Sequence, residues 1–155
     1  MKKSSFILQA VALSFALVFT TSCMQEGCTD PEAANYDKKA VKDDGHCIYR
    51  GGVVFWYDET DCVNLQNDGV ISLTLYVDGE IIGSYDASVY WSDAPVCGEH
   101  GSITVHKEWE NSRTHIYSYS VVDQTGWEHW GDDAVTFEAN TCIKLHLMTT
   151  NRKKK

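Results

Sequence analysis

Six cysteines, at positions 23, 28, 47, 62, 97 and 142, carry the most reactive chemistry in this 155-residue chain. A thiol can form a disulfide, bind a soft metal or attack as a nucleophile, and its compartment and surroundings decide which. None of the six lies in a nucleophile motif. The six histidines invite a metal or acid–base role. Cys97-Gly98-Glu99-His100 has a Cys-x-x-His spacing, but zinc needs further ligands. His106 and His115 flank a predicted turn at Glu110-Asn111-Ser112. Hairpin register would set His106 opposite Ile116 and His115 opposite Lys107, on opposite sheet faces, so they would not share a metal. His146 alternates with Leu145 and Leu147 and is expected to face solvent. Asp132-Asp133 are adjacent and point apart, which does not suit a glycosidase pair. The chain has no His-Glu-x-x-His, Gly-x-Ser-x-Gly or phosphate-cradling glycine loop, so no catalytic residue is assigned.

Five tryptophans give a different signal. Trp130 and one of Trp56 or Trp109 are expected in a core. Trp91 and Trp127, with Tyr90, fall in loop-like stretches beside carboxylates. Exposed aromatics of this kind stack on sugars or hold a partner. A loop packed over a sheet edge explains them equally well.

The elements that position these residues begin with an export signal. Lys2 and Lys3 precede an apolar run from Phe6 to Phe19, and Thr20-Thr21-Ser22-Cys23 follows. Small residues before a cysteine resemble the lipobox of lipoprotein signal peptidase, with Thr20 where an aliphatic residue is usual. The run is short for a membrane span. The resemblance implies that residues 1–22 are removed and that Cys23 carries lipid. Such an anchor holds because each buried methylene contributes about 0.8 kcal/mol and more than one acyl chain is attached.

Export implies oxidation of the remaining thiols. Cys28 and Cys47 flank one compact segment and are expected to pair. Cys97 and Cys142 are the second expected pair, although Cys62 could replace either. One thiol is left over.

Residues 23–50 form the first unit. Thr29 or Asp30 can cap a helical turn that Pro31 opens, and Asp43-Asp44-Gly45 turns the chain before Cys47. Gly27-Cys28-Thr29-Asp30-Pro31, Ala33, Asn35-Tyr36, Ala40, Asp43-Asp44-Gly45 and Cys47 resemble a short motif of exported bacterial proteins. It has the form Gly-Cys-Thr-Asp-Pro-x-Ala-x-Asn-Tyr followed by Asp-Asp-Gly-Ser-Cys, and His46 replaces the usual serine. The resemblance implies a cell-surface protein and no particular activity. Asp30, Asn35, Asp37, Asp43 and Asp44 offer oxygens that could suit calcium. Turn-building by the same side chains is the competing reading.

Residues 51–149 read as β. Val53–Tyr57 is a short apolar run. Ile71, Leu73, Leu75 and Val77 alternate onto one face, and Asp78-Gly79 signals a type I′ hairpin. Ile103, Val105 and Trp109 alternate, as do Tyr117, Tyr119 and Val121. Val135 and Phe137 precede a turn at Asn140, and Ile143, Leu145 and Leu147 close the set. No stretch has a convincing helical period. The pattern predicts an all-β, antiparallel sandwich of about seven strands after the disulfide-closed loop. Phe55-Trp56, Val77-Asp78-Gly79, Pro95-Val96-Cys97-Gly98, Trp130-Gly131 and Cys142 resemble a family of small β domains in bacterial lipoproteins. That resemblance implies the sandwich and no established activity.

The net charge is −9, and residues 51–149 hold 16 acidic and three basic side chains, Lys107, Arg113 and Lys144. Such a surface repels phosphate backbones, so nucleic acid is not an expected partner. Residues 150–155 are a basic tail, read as a frayed end or a contact for acidic envelope polymers. Together these features point to a lipid-anchored, non-catalytic binding or structural module for a glycan or envelope protein. A hydrolase or enzyme accessory subunit with an unrecognised site is the alternative.

Overall fold

The computed structural model describes residues 24–148 and 153–154; the signal stretch and Cys23 lie outside the described residues. Two sheets pack face to face. The smaller has the order β4-β1-β7 and the larger the order β3-β2-β5-β6-β8. The strands are β1 (Ile48–Trp56), β2 (Ser72–Val77), β3 (Glu80–Asp86), β4 (Ile103–Glu110), β5 (Thr114–Asp123), β6 (Trp127–Glu138), β7 (Cys142–His146) and β8 (Lys153–Lys154). A helix, α1 (Glu59–Asn67), follows β1.

The all-β expectation holds, with three differences in detail. The first is α1, which the sequence pattern hides because only Cys62 and Leu65 supply its apolar inward face, beside a buried Asp61. The second is the parallel pairing of β1 with β7, Val53 opposite Ile143 and Trp56 opposite His146. The third is the 110–112 turn. It does not close a hairpin; it carries the chain from one sheet to the other, since β4 and β5 belong to different sheets. Asn111 takes the left-handed conformation there (φ 68°), which asparagine tolerates. The register expected for His106 and His115 is therefore replaced by His106 opposite Gly52 and His115 opposite Phe137.

Alternation does place the core. Leu73, Leu75 and Val77 on β2 are buried, as are Tyr117, Tyr119 and Val121 on β5 and Val135 and Phe137 on β6. Ile71 lies just before β2 and is exposed, against expectation. Phe55 meets Tyr119 across the sheets, ring centroids 5.3 Å apart. Phe137 packs edge-to-face with Trp109 and Tyr117. Such edge-to-face contacts add about 0.5–1.5 kcal/mol beyond area burial. Trp109 and Trp130 are the buried tryptophans, their indole N–H groups bonded to the Ser112 and Met148 carbonyls. The Asp78-Gly79 turn has φ of 50° and 76°, as a type I′ hairpin requires. Gly51 is required for another reason: a Cβ there would collide with the Glu138 carbonyl where the end of β6 crosses β1.

The N-terminal unit is bolted onto this sandwich. Cys28 pairs with Cys47 and Cys97 with Cys142, leaving Cys62 as a buried thiol. β1 starts at Ile48, so the sheet begins within the loop unit rather than at residue 51. Arg113 grips Asp30 through Nε and Nη2 at 2.8 and 2.9 Å, and Tyr49 donates its hydroxyl to the same carboxylate. Asn140 reaches back to the Glu32 carbonyl. In the basic tail, Lys153 and Lys154 pair with Glu128 and Trp127 as β8, so this part is sheet and not a frayed end.

Candidate functional site

β1 ends at Trp56 and the chain turns at once into α1. Asp58 makes the turn possible: its backbone is extended and its Oδ1 accepts the Asp61 N–H at 2.9 Å, capping the helix. Glu59 and Asp61 in the first turn favour the positive helix end. The loop after β3 folds back over this corner. Trp91 N–H donates to the Tyr57 carbonyl at 3.1 Å and the Tyr90 hydroxyl to Glu59 Oε1 at 3.4 Å. Further along, Lys144 holds the Ala94 carbonyl and the Cys97–Cys142 bridge pins the loop to β7.

These contacts enclose a cleft of about 70 Å³ lined by Phe55, Trp56, Tyr57, Tyr85, Val89 and Trp91, among others. Drug-sized ligands need roughly 300–1,000 Å³. This cleft therefore takes the edge of a ring or one side chain. Burial pushes the Tyr57 phenol far up, and the Tyr85 phenol up as well. Both stay neutral hydroxyls at physiological pH.

Behind Trp56 lies a polar group. His146 is the parallel partner of Trp56, and the two rings stack 4.2 Å apart and 11° from parallel. His146 Nε2 is 3.2 Å from Asp61 Oδ2 and 3.9 Å from Asp58 Oδ2. The expected solvent position of His146 is corrected here. It does point away from Leu145 and Leu147, but the β1–α1 corner covers that side. Among the described residues, Asp58, Asp61 and His146 are the only group of three or more His, Cys, Asp or Glu side chains whose ligand atoms lie within 4.8 Å of one another.

Of the residues singled out in the sequence, Trp91 lines the cleft, while the neighbouring Tyr90 is 43% exposed and turns its hydroxyl to Glu59. Trp127 does not line the cleft. It sits at the head of β6, 39% exposed, after a turn organised by Asp123. The five oxygen-bearing residues of the loop serve the backbone instead of converging. Asp30 binds Arg113 and the Glu32 N–H. Asn35 bridges the Ile48 N–H and the His46 carbonyl. Asp37 takes the Lys39 N–H, Asp43 the Gly45 N–H and the Thr29 hydroxyl, and Asp44 the His46 N–H. The Arg113 hydrogen bonds, then the Glu32 amide, hold the Asp30 carboxyl down at about 2. Cys62 is buried beside the Ala87 carbonyl, and burial raises its thiol pKa, the opposite of an activated nucleophile.

One buried pair went unnoticed in the sequence. His129 and Asp123 lie 2.9 Å apart with side chains 4% and 7% exposed. Burial pushes the Asp123 pKa up, but hydrogen bonds from Thr125, His129 and the Trp127 amide overbalance it and hold it at about 2. The Asp-x-Thr-Gly turn at 123–126 was the available clue. A larger trough of about 790 Å³ crosses Gly51 and Gly52 on the outer face of the small sheet. It is wide open, and Arg50 and Glu108 on its wall neutralise each other.

No family model and no solved structure matches the chain. A 25-residue stretch is 64% identical to ribulose bisphosphate carboxylase/oxygenase activase 1, chloroplastic, of Larrea tridentata. That stretch is 16% of this chain and 5% of the plant protein. So short a likeness shows no shared family. Among the described residues, no helix is long and apolar enough to cross a membrane.

Proposed function

We propose that this chain is a lipid-anchored extracytoplasmic protein whose sandwich is a non-catalytic binding module at the cell envelope. Its ligand presents a ring edge or side chain, from a glycan or an envelope protein, to the cleft at Trp91. The observation that carries the reading is the cleft itself, which has aromatic walls and lies under a loop fixed at both ends. Rigid aromatic surface gives contact area at little entropic cost. The two disulfides are compatible with an oxidising compartment, and the export signal with Cys23 supplies the proposed anchor.

A glycan array and an envelope pull-down test the ligand. Trp91→Ala should weaken capture at least tenfold, as loss of a central aromatic anchor does, while Trp127→Ala leaves it unchanged. Equal capture by wild type and Trp91→Ala discards the cleft as the binding surface. Cys23→Ala should move the protein from the membrane fraction to the soluble one.

A further inference from the structure

We propose that Asp58, Asp61 and His146 form a site for one divalent transition-metal cation, with zinc the best fit. The first observation is an orphan atom. His146 Nε2 is buried and makes no hydrogen bond to any described residue, although two carboxylate oxygens stand beside it. A buried nitrogen left in that state is costly unless something else occupies its lone pair.

The second observation is the contrast with His129. There the ring nitrogen and Asp123 form a true hydrogen bond at 2.9 Å. At His146 the Asp61 oxygen is almost as close, at 3.2 Å, yet the two make no hydrogen bond. A shared cation would account for this, because it would take the ring-nitrogen lone pair and hold the oxygen to one side. Donors about 2.0–2.1 Å from a tetrahedral zinc are roughly 3.3 Å from one another. The His146–Asp61 spacing matches that edge. The 3.9 Å to Asp58 needs a closure of about half an ångström, within reach of a carboxylate rotation.

The supporting groups fit as well. Asp58 commits Oδ1 to the helix cap, which aims Oδ2 at the imidazole. Asp61 holds a side chain only 10% exposed. Trp56 stacks flat on the imidazole and sets its plane, the orienting role that residues behind metal ligands perform. One imidazole and two carboxylates suit zinc or a neighbouring transition ion better than calcium, which takes six or more oxygens. Three protein ligands leave a fourth position for water or a ligand group.

The test is a titration of EDTA-stripped full-length protein with zinc chloride, read by calorimetry and by melting temperature. One equivalent should bind and raise the melting temperature. His146→Ala and Asp61→Asn should each weaken binding by more than the ~10–100-fold typical of supporting residues. His106→Ala should leave it unchanged. No uptake at stoichiometric concentrations, or uptake that survives His146→Ala, overturns the site, as does a preference for calcium. If either variant fails to fold, cobalt(II) on the wild type decides. Ring resonances of Trp56 and His146 should broaden before those of His106, and broadening centred elsewhere overturns the proposal.

Discussion

At the Ile48 end of β1, Asp30, Asp37, Asp43 and Asp44 each accept a backbone amide, an arginine or a hydroxyl. At the Trp56 end, Asp58 and Asp61 stand beside an imidazole nitrogen with no hydrogen bond, and the Trp56 indole N–H is buried without one too. Both ends are acidic; the Cys28–Cys47 bridge closes the first, while Cys97–Cys142 lies beside Gly52 in the middle of the strand. The difference is satisfaction. The carboxylates of the first end complete turns, whereas at the second Asp58 caps α1 and it is the His146 ring nitrogen and the Trp56 indole N–H that lack a hydrogen bond. A count of acids along the chain favours the first end, and the geometry favours the second.

The largest test of the comparison is the bridge at the closed end. Cys28→Ser with Cys47→Ser releases a loop spanning 19 residues, which should cost about 3 kcal/mol in urea unfolding. A loss below about 1 kcal/mol would mean that the turn hydrogen bonds close this end by themselves. Next, two tryptophans can be compared. Trp109→Phe removes a bonded indole N–H and should cost about 2 kcal/mol. Trp56→Phe removes an orphan donor and should stay within about 1 kcal/mol of wild type. Equal losses would erase the distinction between the two ends.

A smaller effect is expected in acid. Asp30 and Asp123 are held at about 2 in the folded chain and lie near 3.9 when unfolded. Their contribution is complete above pH 4 and is lost as pH falls from about 4 towards 2. Arg113→Ala returns Asp30 towards its ordinary value. The stability–pH curve of the variant should therefore lie lower at neutral pH and be flatter between pH 2 and 4. An unchanged slope would show that Arg113 does not hold the loop. The smallest change is Asp44→Asn. Its carboxylate caps one exposed amide, a duty the asparagine oxygen can assume, so stability should shift by less than about 0.5 kcal/mol.

The strand faces and the closed loop were legible in the sequence, because alternation and paired cysteines report directly on burial and oxidation. Leu73, Leu75 and Val77 needed only their spacing. Helix α1 was not legible. Nine largely polar residues, Glu-Thr-Asp-Cys-Val-Asn-Leu-Gln-Asn, carry no apolar stripe, and the helix rests on its Asp58 cap and two inward side chains. The Asp58–Asp61 spacing and the Asp68-Gly69 stop were the available signals. The His146 environment was beyond reach for a related reason. Alternation gave the correct face, but only the parallel β1–β7 pairing reveals what covers it, and chain order does not determine which strands pair.

Residues Ile48 to Trp56 make β1 nine residues long, or roughly 30 Å from end to end. If the chain is tethered through Cys23, the surface that holds it meets the cystine-closed end first. The aromatic cleft and the imidazole behind it then stand off by about the thickness of a bilayer's hydrocarbon core. The strand would act as a short mast, lifting that corner clear of the lipid headgroups towards whatever passes above them.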